Sequence, residues 1–146
     1  FMEKKIIIIN ANYYQDISDR LISGATDYLK ENGINYKVVD VPGALEISSA
    51  INLIINKNNI NNNETGFIAI GCVIRGETSH YDIVTNESAA GLTQLSIAKN
   101  IIVTNSILTV ENKQQALDRS LDDTTNKGYH AAYACNLLLD IKNGKL

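Results

Sequence analysis

The residues best suited to chemistry lie together in one stretch, residues 71–82, with the sequence GCVIRGETSHYD. An apolar run that ends at Ile74 predicts a buried strand, a glycine-containing turn follows it, and a helical pattern starts near Asp82. Unpaired backbone N–H groups at the start of a helix attract anions, and His80 beside them can carry a proton near neutral pH. The stretch therefore predicts an anion site with an adjacent proton carrier. Taken alone, His80 is also explained as a solvent-exposed loop histidine.

The spacing of Gly71 and Gly76 resembles a nucleotide-binding loop but lacks its chemistry. The phosphate-binding motif GxxxxGK[S/T] requires a lysine after the second glycine, and this chain has Glu77 there. A carboxylate at that position would repel a nucleotide triphosphate. No GxGxxG sequence occurs either, so neither nucleotide nor dinucleotide binding is predicted.

Length and composition predict one soluble domain that spans residues 1–146. The net charge is −3, so nothing indicates binding to nucleic acid or to an anionic membrane. Cys72 and Cys135 lie far apart in apolar surroundings, which favours buried thiols in a reducing compartment, and no metal site is predicted. We find no signal peptide or membrane-spanning run and expect a cytoplasmic protein. Phe1 ahead of Met2 is interpreted as an addition to the natural start.

Apolar periodicity predicts strands and helices that alternate along the chain. Runs of β-branched residues predict the strands, and apolar residues at helical spacing predict the helices. The predicted strands cover residues 5–10, 36–41, 67–74 and 101–108, and the predicted helices cover residues 17–29, 46–56, 82–99, 112–121 and 127–143. Such alternation indicates a parallel sheet with right-handed crossovers.

We expect an α/β fold, a three-layer flavodoxin-like sandwich in which a four-stranded parallel sheet carries helices on both faces. Ligands of such sheets bind beyond the carboxyl ends of the strands. The polar loops that contain Tyr13, residues 43–46, residues 75–80 and residues 105–108 are all expected to leave those ends. The sequence therefore predicts that four loops converge at one edge of the sheet, which strengthens a functional role for His80.

Several motifs occur along the chain in the order found in a known enzyme family. They are VPGALEI from Val41, GCVIRGETSHYD from Gly71, ENKQQALDR from Glu111 and NKG from Asn126. Through these motifs the chain resembles the lumazine synthases over nearly its whole length. The resemblance implies condensation of 5-amino-6-(D-ribitylamino)uracil with 3,4-dihydroxy-2-butanone 4-phosphate to give 6,7-dimethyl-8-ribityllumazine, phosphate and water, the penultimate step of riboflavin biosynthesis. It implies small-molecule substrates and no metal or organic cofactor.

The resemblance also implies roles for the residues at matching positions. His80 corresponds to the proton-transfer residue. Residues implied to bind the pyrimidine and its ribityl chain are Tyr13, Ala44, Leu45, Glu46, Cys72, Val73, Ile74, Asn105 and Lys127, and those implied to bind the phosphate substrate are Glu77, Thr78 and Arg119. Without the resemblance, Tyr13 is equally explained as a surface tyrosine, Glu46 as a first-turn helix carboxylate and Arg119 as an exposed helix arginine.

Asn105 is the departure from the family that matters most. A phenylalanine at this position often closes over the pyrimidine in relatives. We therefore expect Asn105 to contact the substrate through its backbone and affinity for the pyrimidine to be reduced.

The last predicted helix, residues 127–143, is apolar around most of its circumference, more than one sheet face can cover. This pattern favours packing between subunits, with a fully buried helix as the alternative. The resemblance implies head-to-tail rings of five chains, in which one chain supplies the aromatic residue, the ribityl-binding carboxylate and His80, and the next supplies Arg119 and Lys127. It leaves open a closed shell of sixty subunits and an association with riboflavin synthase.

A second hypothesis is a non-catalytic protein of the same fold that binds flavin or lumazine or forms a shell. The presence of both His80 and Arg119 favours the enzyme, since storage by stacking needs neither a proton carrier nor a phosphate clamp.

Overall fold

The computed structural model describes residues 2–145, so the interpretation of Phe1 lies outside the described residues. Strands and helices alternate along the chain, as expected. The elements are β1 (Lys5–Ala11), α1 (Gln15–Glu31), β2 (Asn35–Val41), α2 (Leu45–Lys57), β3 (Thr65–Ile74), α3 (His80–Lys99), β4 (Ile102–Val110), α4 (Lys113–Asp118) and α5 (Lys127–Lys142). In the described part of the chain, none of these helices has both the length and the hydropathy needed to cross a membrane.

The four strands form one parallel sheet in the order β2–β1–β3–β4. Helices α1, α4 and α5 pack on one face, and α2 and α3 pack on the other. The expected three-layer α/β sandwich around a four-stranded parallel sheet is therefore confirmed. Because all strands point the same way, their carboxyl ends lie together at one end of the sheet, where ligands of such sheets bind.

The isoleucine run of β1 contributes to both cores of the sandwich. Successive side chains of a strand point to opposite faces, so Ile6 and Ile8 enter the core under α1 and α5, whereas Ile7 and Ile9 enter the core under α2. Each well-buried isoleucine contributes about 1.5–3 kcal/mol through the hydrophobic effect. Because β1 is central and buried on both faces, it holds the carboxyl end of the sheet, and the loops that leave that end, in a fixed position.

A close contact between α1 and α5 fixes where the last helix begins. A Cβ at Gly128 would lie 1.9 Å from the carbonyl oxygen of Leu21, so only glycine fits. The buried side chain of Asn126 caps α5 by accepting a hydrogen bond from the N–H of Gly128 at 2.8 Å. It also donates to the carbonyl oxygens of Arg20 and Leu121. The segment between α4 and α5 therefore ends in a buried anchor that the sequence did not indicate.

Helix α3 begins at His80 and not near Asp82 as expected. The chain already turns at Ser79, whose carbonyl oxygen accepts a hydrogen bond from the N–H of Asp82 at 3.0 Å. His80 is therefore the first residue of a helix and is not a loop residue, and its backbone position is set by the helix.

Strand β4 continues to Val110 instead of ending at residue 108. The β-branched residues Thr109 and Val110 keep pairing with β3, as their preference for extended structure favours. Asn105 lies within the predicted strand and pairs with Ala69 inside the sheet. The expectation that residues 105–108 leave the end of a strand was wrong.

Candidate active site

A cavity of about 370 Å³ opens at the carboxyl ends of β1 and β3, and we call it the strand-end cavity. The loops that follow β1, β2 and β3 enclose it, and its volume suits a small ligand. Most of the predicted site residues line it, namely Tyr13, Ala44, Leu45, Glu46, Cys72, Val73, Ile74, Thr78 and His80. Three of the four loops expected to converge therefore do so.

Tyr13 provides an exposed aromatic surface on the strand-end cavity. Its side chain is 75% exposed, and its ring meets that of Tyr14 edge to face, with the ring centroids 5.0 Å apart. An edge-to-face neighbour leaves a ring face available for stacking on a planar ligand. Leu45 adds a further exposed apolar surface to the same cavity.

The carboxylate of Glu46 reaches the strand-end cavity from the first turn of α2. Its Oε2 atom would lie 2.9 Å from a Cβ at Gly43, and the N–H of Glu46 donates to the carbonyl oxygen of Gly43 at 3.2 Å. Glycine at this position therefore lets the side chain fold back over the turn. A carboxylate held there can accept hydrogen bonds from hydroxyl or amine groups of a ligand.

The loop between β3 and α3 presents unpaired backbone N–H groups. Within residues 2–145, the N–H groups of Gly76, Glu77 and Thr78 donate no hydrogen bond, whereas the N–H of His80 is held by the Thr78 hydroxyl at 3.3 Å. Free N–H groups before a helix N-terminus attract anions. The side chain of Glu77 is exposed and outside the cavity lining, so only its backbone is suited to this task.

The end of β3 closes the strand-end cavity with Cys72, Val73 and Ile74. Burial raises the pKa of the Cys72 thiol to about 11, with the charge of Asp16 as a second cause. The thiol therefore stays protonated near neutral pH and is a wall of the cavity, not a nucleophile. Cys72 and Cys135 are both buried and free, which confirms the expected buried thiols.

A second cavity of about 340 Å³ lies along the outer edge of the sheet between β4, α4 and α5, and we call it the sheet-edge cavity. Asn105, Arg119 and Lys127 line it. Within the described chain, these three residues therefore do not join the predicted site residues of the strand-end cavity. The predicted site is divided between two cavities.

Two side chains of the sheet-edge cavity are held by their own elements. The Nη1 atom of Arg119 donates to the carbonyl oxygen of Gln115 at 3.0 Å, which places the guanidinium at the end of α4. The Oδ1 atom of Asn105 accepts a hydrogen bond from the N–H of Ile107 at 2.8 Å. Both side chains keep further donor groups for a ligand.

Several residues that line the two cavities were not predicted from the sequence. His130 lies beside Lys127 in the sheet-edge cavity, and its place one helical turn after Lys127 is the signal that could have indicated it. Ser106 lines the same cavity, and its buried hydroxyl has no hydrogen-bond partner within residues 2–145. Tyr14 and Tyr81 line the strand-end cavity, and no sequence pattern distinguished them from ordinary packing residues.

Comparison with known proteins identifies the family. The family model of 6,7-dimethyl-8-ribityllumazine synthase matches residues 3–143. The protein of that name from Bartonella tribocorum is 43% identical over 143 residues, which cover 97% of this chain and 93% of the relative. Those from Afipia carboxidovorans and Methylorubrum extorquens strain PA1 are 42% and 44% identical over 139 residues, covering 94% of this chain and 85% and 80% of the relatives. With matches that extend over both cavities, the chain belongs to the 6,7-dimethyl-8-ribityllumazine synthase family.

Proposed function

We propose that the protein condenses 5-amino-6-(D-ribitylamino)uracil with 3,4-dihydroxy-2-butanone 4-phosphate to form 6,7-dimethyl-8-ribityllumazine, the penultimate step of riboflavin biosynthesis. The observation that carries this proposal is the strand-end cavity of a chain from this family, which combines an exposed aromatic ring, a carboxylate, open backbone N–H groups and a histidine. The amine condenses with the ketone with loss of one water, phosphate is eliminated, and the ring closes with loss of a second water. The atoms lost leave as phosphate and water, so the reaction needs no oxidant, reductant or cofactor.

The pyrimidine substrate fits the apolar and acidic side of the strand-end cavity. Tyr13 stacks on the planar ring, and Leu45 covers it. Glu46, with the backbone around Ala44, accepts hydrogen bonds from the ribityl hydroxyls. Cys72, Val73 and Ile74 present the end of β3 to the ring edge.

The phosphate substrate fits the loop before α3. Backbone N–H groups of Glu77 and Thr78 bind the phosphate group, with the positive end of the helix behind them. His80, the first residue of that helix, transfers protons during condensation and elimination. The binding site for the leaving group and the proton carrier are therefore adjacent in the chain.

The two cavities support a site shared between neighbouring chains of a homopentamer. The strand-end cavity has the aromatic ring and His80, and the sheet-edge cavity has Arg119, Lys127 and Asn105. A head-to-tail ring brings one surface of each chain against a different surface of the next. Arg119 of one chain then clamps the phosphate bound at its neighbour's loop, and Lys127 approaches the pyrimidine.

Exposed apolar side chains near both cavities support the ring. Tyr13, Leu45 and Ile83 are exposed on or near the strand-end cavity. Beyond the sheet-edge cavity, α5 exposes Tyr133, Leu137 and Ile141 at a spacing of four residues along the helix. Exposed apolar surface of this kind marks contact with another chain. We propose a cytoplasmic pentamer and leave closed shells and association with riboflavin synthase as further states of it.

The direct experiment mixes both substrates with the protein and follows lumazine fluorescence and phosphate release together. We expect equal amounts of both products, and native mass measurement should give five chains. A folded protein that binds the pyrimidine but forms no product would overturn the enzyme proposal in favour of a binding protein. Neither the structure nor the comparisons favour that non-catalytic alternative.

A further inference from the structure

Arg75 is the first residue after β3, and its guanidinium contacts three residues outside that strand. Its Nε atom donates to both carboxylate oxygens of Glu111, at 2.8 and 3.1 Å. Its Nη1 atom donates to Oδ1 of Asp82 at 3.3 Å, and its Cζ atom lies 4.2 Å from the centroid of the Tyr81 ring. One planar cation thus connects two carboxylates and an aromatic face.

These contacts close the base of the loop that carries the open N–H groups. Arg75 precedes the loop, whereas Tyr81 and Asp82 follow it in the first turn of α3. The backbone of Arg75 is fixed in turn, because its N–H donates to the carbonyl oxygen of Val110 at 3.0 Å. Joining the two ends of a short loop restricts the conformations of the backbone between them. The guanidinium therefore restrains residues 76–80.

The contact with Glu111 extends this restraint to the helix that carries Arg119. Glu111 lies between β4 and α4, and its N–H donates to Oε1 of Gln115 at 2.8 Å. The carbonyl oxygen of Gln115 accepts the hydrogen bond from Arg119. A continuous set of contacts therefore runs from the loop of the strand-end cavity to the guanidinium of the sheet-edge cavity.

The exposure of this cluster separates positioning from folding stability. The side chain of Arg75 is 42% exposed, and those of Asp82 and Glu111 are each 56% exposed. Exposed ion pairs add little to the free energy of unfolding. Small displacements of a substrate-binding loop, in contrast, have large effects on reaction rates. Loss of these contacts should therefore change kinetics far more than stability.

We infer that Arg75 is a positioning residue that holds residues 76–80 in the geometry that receives the phosphate group of the substrate. This inference rests on the proposed function. Arg75 does not line the strand-end cavity, so it acts through the loop and through Tyr81, which does line it. The guanidinium sets the direction of the open N–H groups and the position of His80.

The first test compares Arg75→Ala with the wild type in steady-state kinetics with both substrates. We expect KM for the phosphate substrate to rise about ten-fold, with little change in KM for the pyrimidine or in Tm. Inhibition by inorganic phosphate should weaken by a similar factor. Arg75→Lys keeps the charge but lacks the planar guanidinium that bonds Glu111 and Asp82 while lying over the Tyr81 ring, so its KM should lie between those of the wild type and Arg75→Ala.

Arg20→Ala is the matched control. Arg20 is an exposed arginine of α1 that lines neither cavity, and we expect both KM values to stay at those of the wild type. If KM for the phosphate substrate rose as much in Arg20→Ala as in Arg75→Ala, the effect would come from net charge. That result would overturn the positioning role.

A double-mutant cycle with Glu111→Gln tests the contact itself. Glu111→Gln removes the charge and keeps an acceptor, so we expect KM for the phosphate substrate to rise about three-fold. The double variant Arg75→Ala/Glu111→Gln should be no worse than Arg75→Ala alone. If the double variant instead raised KM by the product of the two single-variant factors, the two residues would act independently. That result contradicts the inference.

Different results would reject the proposed enzyme activity and the positioning role of Arg75. A wild-type protein that forms no product rejects the enzyme proposal, and the inference with it. An active wild type together with an Arg75→Ala variant of unchanged KM rejects the positioning role alone. Equal rises in both KM values with a large fall in Tm, in Arg75→Ala and Arg75→Lys alike, would show that Arg75 supports the fold instead.

Discussion

The two cavities present different chemistry to a ligand. The strand-end cavity combines groups that the fold itself fixes, namely backbone N–H groups and the ends of buried strands, with the exposed side chains of Tyr13, Glu46 and His80. The sheet-edge cavity uses long basic side chains, Arg119 and Lys127, that project from helix ends beside an edge strand. Fixed groups are oriented before a ligand arrives, whereas exposed long side chains lose conformational freedom on binding. The strand-end cavity is therefore suited to setting the geometry of a reaction, and the sheet-edge cavity is suited to supplying positive charge.

The largest effect is expected from His80→Ala, which removes the proposed proton carrier of the strand-end cavity. We expect kcat to fall by about 10²-fold, at the low end of general acid–base effects, with little change in pyrimidine binding. The kcat should be measured in both proteins with both substrates at saturation. An equal kcat in variant and wild type would remove His80 from the mechanism.

Arg119→Ala removes charge from the sheet-edge cavity and should act on affinity. Loss of a charge-assisted partner of a desolvated phosphate is worth about 2 kcal/mol, so KM for the phosphate substrate should rise roughly thirty-fold. The KM for the pyrimidine should change far less. Arg119→Lys is the control that keeps the charge without the planar fork, and it should recover part of the loss. Equal rises of both KM values would assign Arg119 to the fold.

Asn105→Phe tests whether the sheet-edge cavity lacks an aromatic surface. A phenylalanine there should tighten pyrimidine binding by about three- to ten-fold, the range expected for one aromatic pair. Both Asn105→Phe and the control Asn105→Leu lose the hydrogen bond to Ile107, so their difference isolates the ring. Calorimetric titration with the pyrimidine substrate measures this difference in affinity. Weaker binding of the phenylalanine variant would mean that the cavity is built around asparagine.

The smallest effect is expected at Asp16 and Lys113, which connect the start of α1 to the start of α4 at 2.6 Å. The hydrogen bond from Lys113 lowers the pKa of Asp16. A lowered pKa means that the folded state favours the carboxylate, so this contribution is present above the ordinary pKa of aspartate and is lost as pH falls through the lowered value. When thermal unfolding is measured from pH 6 to pH 3, the Tm of Asp16→Asn should fall slightly less than that of the wild type. An equal fall in Tm with pH in both proteins would show that this exposed ion pair does not link the start of α1 to the start of α4.

The sequence predicts the sheet and the strand-end cavity well, because both follow from local patterns. Isoleucine runs specify buried strands, and parallel strands force the loops after β1, β2 and β3 to one edge. The limits of α3 and β4 were less predictable, because Ser79 already turns into α3 through a local hydrogen bond and Thr109 continues β4 by pairing with β3. The polar side chain of Asn105 suggested a loop, but the residue lies within the predicted strand and pairs with Ala69.

The sheet-edge cavity and the Arg75 contacts could not be predicted from periodicity. Periodic patterns indicate which face of an element is buried but not which distant residue meets it. Arg75 and Glu111 lie 36 residues apart in the chain and meet only because β3 and β4 are neighbours in register. The buried cap formed by Asn126 is similar, since its partner Arg20 is 106 residues away.

The most direct test of a site shared between neighbouring chains is complementation between His80→Ala and Arg119→Ala, assayed with the phosphate substrate well below its KM, where both variants are strongly impaired. His80→Ala chains keep an intact sheet-edge cavity, and Arg119→Ala chains keep an intact strand-end cavity, so mixed head-to-tail rings contain junctions with both. Random mixing in equal amounts gives intact junctions at about a quarter of positions. After joint unfolding and refolding, with mixed rings confirmed by native mass, we predict activity near that fraction of wild type and far above either parent. Well-mixed rings that stay as inactive as the parents would contradict a site shared between neighbouring chains.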